Sequence, residues 1–215
     1  MMDNGELTKG GIDEARDNRI QLHIGVIGSL ARIIWLPIFN LVYYLYLAEI
    51  YEGVYSWEIW SYVFQITNLV SFSLMCLVQV GYFGFLRSSG SRFALVAVFI
   101  SMVQWVDSFY IIPIVGFAIG FYLVIAISIC ATLFLAACLW QVRMFAESEK
   151  KVRILVALMV MSLILGYAIM YPLSSLLTVT DALSAMLLEV PDLVAALLVN
   201  LAALVMFFGQ ASALR

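Results

Sequence analysis

From Phe93 to Val142 the chain runs for fifty residues with one charged side chain among them, Asp107. At a helical rise of about 1.5 Å per residue such a run is about 75 Å long, more than twice a bilayer's hydrocarbon core of roughly 30 Å. It must therefore fold back on itself, and Pro113, Gly116 and Gly120 supply the break. The rest of the chain obeys the same constraint, because 65% of the residues are hydrophobic and only 12% are charged. Water-soluble domains do not have that balance. In hydrocarbon each backbone group has to find its partner within its own segment, so the expected fold is all-α, a polytopic transmembrane helical bundle.

Six runs are long enough to cross, at about 20 residues each. They are Ile33–Ile50, Ile59–Leu86, Phe93–Val115, Gly116–Phe145, Val152–Val179 and Asp192–Gln210. The charges between them sort by sign. Arg87 and Arg92 flank the second connection, and Arg143, Lys150, Lys151 and Arg153 the fourth. The first carries Glu49, Glu52 and Glu58, and the fifth Asp181, Glu189 and Asp192. Lys and Arg mark the cytoplasmic side, so the even connections and both termini are expected to be cytoplasmic, in a multi-pass protein of the cell membrane. Tyr51, Tyr55, Trp57, Trp60 and Tyr62 then form an outer aromatic belt, with Trp140 at the inner boundary.

Residues 1–31 form a polar N-terminal segment ahead of a single transmembrane domain, residues 32–215. The acidic start lacks the basic and apolar regions of a signal peptide, and no cleavage is expected. Asp13–Ala31 mixes charge with Ile20, Leu22, Ile24, Val26, Ile27 and Leu30. It reads equally as an interfacial amphipathic helix or as an extended start to the first span. Asp181–Val190 reads as an amphipathic turn or two along the surface, ending where Pro191 and Asp192 suit the start of the sixth helix. No internal repeat joins the two halves of the chain.

The residue inventory excludes much chemistry. The one histidine, His23, precedes the first span, which leaves haem ligation, a histidine zinc site and a Ser–His pair unsupported. Cys76, Cys130 and Cys138 lie inside spans without a Cys-x-x-Cys pair and read as packing residues. There is no Gly-rich phosphate loop. We therefore expect no cofactor, no metal and no enzymatic activity. The net charge of −3 provides no basic face for nucleic acid.

What remains is a set of polar residues at membrane depth. Asp107 is the one carboxylate well inside a span, where a charge costs about 2.5–3.5 kcal/mol on insertion scales and is a functional suspect by default. Asn40, Asn68, Gln104 and Asn200 lie within about a turn of the middle of the first, second, third and sixth spans. Gln65, Asn68 and Gln79, with Ser71 beside them, form a stripe on the second span. Ser101, Gln104, Asp107 and Ser108 form another on the third. Arg32 can snorkel to the headgroups or pair with Asp107. The stripes read either as a hydrated pathway or as amides that hydrogen-bond across helices and hold the bundle together.

Trp105-Val106-Asp107 followed by Pro113 resembles the counter-ion stretch in the third helix of microbial rhodopsins, where an aromatic, a small residue and Asp precede a proline. Tyr171-Pro172 is similar to the Tyr-Pro of their sixth helix. The resemblance implies a relative that cannot form a retinal Schiff base, because Lys9, Lys150 and Lys151 all lie outside the spans. The layout of interfacial helix, six spans and a short amphipathic element before the last also resembles the permease half of ATP-driven exporters. The functional expectation is a transporter or channel that moves a small solute, cation or proton through a polar midplane around Asp107. The alternative is a non-catalytic subunit of a membrane complex. The partners expected are the lipid bilayer and other membrane subunits or further copies of the chain.

Overall fold

A computed structural model of the chain describes residues 4–53, 57–103, 117–146, 149–170 and 182–214. Among the described residues all regular structure is helical. The elements are α1 (Asn4–Glu52), α2 (Trp57–Ser88), α3 (Ala94–Val103), α4 (Phe117–Val142), α5 (Glu149–Leu163) and α6 (Ala182–Ala213). A single 3₁₀ turn, Arg143–Phe145, follows α4, and α5 passes directly into a π-helical stretch, Ile164–Met170.

Five helices, all but α3, carry stretches long and apolar enough to cross a membrane, and α3 adds a shorter apolar piece. Only 17–39% of the residues in those stretches are buried within the chain. Ile34, Leu69, Leu95, Phe99, Met161 and Phe208 are each more than 60% exposed. A surface of this kind is compatible with hydrocarbon and not with water.

Two helices run further than the sequence pattern suggests. α1 continues without interruption from Asn4 through Pro37 to Glu52, so residues 13–31 are the beginning of the first long helix. α6 starts at Ala182 and keeps Pro191 inside it, so the amphipathic segment before the sixth span belongs to that span's helix. Each proline removes one backbone donor, leaving the carbonyls of Ile33 and Leu187 without their usual intrahelical partner.

α1 and α2 form an antiparallel hairpin with a constant register. Glu14 meets Arg87 at 3.2 Å, Gly25 meets Gly81, Gly28 meets Leu77 and Val78, and the Trp35 indole N–H donates to Ser71 Oγ at 2.8 Å. The backbones approach so closely at Gly25 and Gly81 that neither position has room for a methyl group. α2 ends in a glycine cap. Gly90, at φ +77°, turns the chain while Ser91 N–H donates to Leu86 O at 2.9 Å and Gly90 N–H to Arg87 O at 3.0 Å. Gly53, at φ +60°, ends α1 with a bond from its N–H to Glu49 O.

The pairings of α6 follow the same logic. Phe207 packs on Gly25 and Gly81, Gln210 reaches Ser88 at 3.5 Å, and Lys151 of α5 lies against Gly209. The end of the bundle holding Arg87, Arg143, Lys151 and Arg153 is therefore basic, and the opposite end, with Glu49, Glu189 and Asp192, is acidic. Among the described residues the larger buried cluster lies toward the basic end, where Leu22, Phe85, Leu86, Leu139, Leu155 and Phe207 are fully buried, and a smaller one, Leu47 and Ala48 with Tyr43 and Tyr44 against them, lies toward the acidic end.

Candidate functional site

A cavity of about 310 Å³ lies between α1, α2 and α6. Leu36, Phe39, Asn40 and Tyr43 form its α1 wall. Their spacing of three, four and seven residues puts them on one face of the helix. Glu189, Asp192, Leu193 and Ala196 repeat the same spacing on α6, and Phe64 of α2 closes the third side. Pro37 and Pro191 lie inside the two facing helices at this level, each leaving one backbone carbonyl without its intrahelical partner.

The aromatic side is a stacked cluster. Phe39 and Tyr43 lie nearly parallel at 6.5 Å between ring centroids, Tyr43 is tilted on Phe64 at 5.8 Å, and Tyr46 stacks on the Phe64 ring at 4.5 Å. Such contacts hold the rings as a rigid wall. The opposite side carries two carboxylates three residues apart. Among the described residues neither Glu189 nor Asp192 meets a cation or a hydrogen-bond donor. Asp192 instead lies over Gly166 in the π-helical stretch of α5: a Cβ on that glycine would sit 3.2 Å from Asp192 Oδ1. The π stretch and its glycine thus make the space the carboxylate occupies, and π-helical turns are frequent at functional positions. Asn40 donates its amide N–H to Leu36 O at 3.0 Å, which leaves its side-chain oxygen free to accept.

Below the cavity, toward the basic end, the described residues pack closely. Asn200, one turn past Ala196, is 6% exposed and donates to Ala196 O at 2.7 Å. Arg32 is buried close enough to Tyr82 of α2 to interact with it electrostatically. Beneath them Gly25, Gly81, Tyr82 and Phe207 fill the space between α1, α2 and α6, the Tyr82 and Phe207 rings meeting edge to face at 5.1 Å.

The polar residues singled out in the sequence are thus dispersed. Asp107 and Gln104 lie outside the described residues, as do Trp105, Pro113, Tyr171 and Pro172. Asn40 lines the cavity and Asn200 lies just under it. Asn68 donates to its own helix at Phe64 O, 2.9 Å away, and Gln65 is exposed. Gln79 is buried and bridges helices, donating to Ser101 Oγ of α3 at 2.8 Å. The α2 stripe therefore does not line one pathway: Ser71 bonds α1, Gln79 bonds α3 and Gln65 faces outward. His23 is exposed, with its Nδ1 on Arg19 O at 2.8 Å. Among the described residues no three His, Cys, Asp or Glu side chains cluster as metal ligands.

In the sequence Glu189 falls in the fifth connection and Asp192 at its border with the sixth span, and neither they nor Phe39, Tyr43 and Phe64 stand out as site residues. The signal available for them was the matched helical spacing on the two proline-containing helices. No family model, curated protein or solved structure matches the chain.

Proposed function

We propose that this is a multi-pass protein of the cell membrane that carries a small solute, cation or proton. The cavity toward the acidic end is its water-facing entrance, and Asp107, the one charged residue between Phe93 and Val142, is the carboxylate on which transport depends. The observation that supports this reading is the cavity between α1, α2 and α6, which among the described residues gives way toward the basic end to the close contact of Gly25, Gly81 and Phe207. A carrier needs a site that opens to one side of a membrane at a time, and that arrangement suits one. The excess of Arg and Lys at the basic end supports a cytoplasmic position for that end, with the cavity and its acids outside. Six crossings with both termini inside follow if the third span is completed beyond α3.

The purified chain in proteoliposomes tests the reading. A set of small cations and protons is offered from the outside, and flux above that of empty vesicles is expected for one of them. Asp107→Asn, which keeps the size and removes the charge, is expected to abolish it. Wild-type vesicles no leakier than empty ones, or undiminished flux in the variant, would overturn the proposal. The first result would favour a non-catalytic subunit of a membrane complex.

A further inference from the structure

We infer that the cavity recognises a substituted ammonium group, held between the aromatic wall of α1 and α2 and the two carboxylates of α6. The inference rests on the carrier reading for its purpose, but the site is argued from its own geometry.

Its volume of about 310 Å³ is at the lower bound of small-molecule sites, which begin at about 300 Å³. That is far more space than a bare metal ion fills, and two carboxylates on one helix face with an amide opposite are too few ligands to replace an ion's hydration shell. Phe39, Tyr43 and Phe64 line one side of the space, and the faces of such rings carry the negative part of the quadrupole. An alkylated ammonium is attracted to such rings by about 0.5–2 kcal/mol each, most strongly where water is excluded. Opposite them, Glu189 and Asp192 are like charges one turn apart with no counter-charge among the described residues. A cation between them relieves that repulsion. An anion is repelled by the same pair, and an uncharged solute gains nothing from it.

The Asn40 oxygen offers an acceptor for an N–H or a hydroxyl of the ligand. The chemistry is the same for a free amine or quaternary ammonium and for the headgroup of a choline or ethanolamine lipid.

Calorimetry on the purified full chain in maltoside detergent tests this with choline as probe and 3,3-dimethylbutan-1-ol, its uncharged carbon analogue, as control. Choline is expected to bind saturably, with the neutral analogue at least tenfold weaker and excess sodium unable to displace it. Asp192→Asn and Phe64→Leu are each expected to weaken choline tenfold or more while eluting as monodisperse, helical protein, and Phe64→Tyr, which keeps the ring, to bind like wild type. Equal affinity for the neutral analogue, displacement by sodium, or unaltered binding in both Asp192→Asn and Phe64→Leu would overturn the inference. Nanodiscs separate the two sources, and either pattern supports the site. Equal choline affinity in phosphatidylcholine and phosphatidylglycerol discs identifies a free ligand, whereas binding seen only in phosphatidylglycerol identifies a lipid headgroup. Because binding is read without flux, choline binding in a chain that transports nothing refutes the carrier proposal alone. Flux of another ion with no choline binding refutes this inference alone.

Discussion

The close approach of α1 and α2 at Gly25 and Gly81 makes a sharp prediction about what holds the bundle together. A Cβ on Gly81 would fall 2.5 Å from the Gly25 Cα and 2.8 Å from Cε2 of Phe207. Carbon atoms in contact prefer about 3.5–4.0 Å, so Gly81→Ala forces α1 and α2 apart by about 1 Å. The Phe207 ring is fully buried and has nowhere to swing. Overpacking of this kind costs about 1–3 kcal/mol, and Gly25→Ala should cost a similar amount because it collides with the same backbone. The double variant should cost less than the two together, by about 1 kcal/mol, since one separation of the helices accommodates both methyl groups. Unfolding by sodium dodecyl sulfate from maltoside micelles, followed by tryptophan fluorescence, measures all three. Ser73→Ala, at an exposed position, serves as a control expected within about 0.5 kcal/mol of wild type. An undestabilised Gly81→Ala, or a double variant whose loss is the full sum, would refute the close-packed hairpin.

Other positions carry smaller, separable effects. Gly166→Ala places a methyl group 3.2 Å from Asp192 Oδ1, so it should weaken choline binding several-fold in the calorimeter while leaving the unfolding midpoint nearly unmoved. Gln79→Leu removes the buried bond to Ser101 and should lower stability by about 0.6–2 kcal/mol. A double-mutant cycle with Ser101→Ala should return a favourable coupling, and a value of zero would show that the two do not bond. Glu14→Gln breaks a pair whose side chains are 55% and 40% exposed, and should cost less than about 1 kcal/mol in the same titration.

The helical class and the division into long apolar elements were legible because the hydrocarbon requirement acts on every residue of a span. For the start of α1 the sequence leaves two equal readings, an interfacial helix or an extension of the first span, because residues 13–31 mix charge with apolar side chains. The reason they extend the span is tertiary: Gly25 and Gly28 let α2 lie directly against them. Pro191 suits the start of a helix in sequence, yet in α6 it costs one backbone bond, and the chain absorbs that loss to keep Glu189 and Asp192 on one continuous face. The π-helical turn at Gly166 leaves no periodic trace at all, because an α and a π turn share composition and only contact with Asp192 distinguishes the position. Polarity alone did not separate the cavity residues from the rest. Asn40 lines the cavity, whereas Asn68 and Asn200 bond their own helices, and the aromatic residues of the wall look the same in sequence facing lipid or facing a ligand.

The central claim is that water enters the bundle from the acidic, outer end and stops at the packed half, and two alanines of α6 test it. Ala196 lines the cavity, whereas Ala203, about two turns further along the helix, is fully buried. With Cys76, Cys130 and Cys138 replaced, Ala196→Cys and Ala203→Cys are each exposed in sealed, right-side-out vesicles to a membrane-impermeant thiol reagent carrying a trimethylammonium group. The account predicts modification of the cysteine at position 196 from the outside, slowed by choline, and none at position 203. Modification of both, of neither, or of position 203 alone would contradict it.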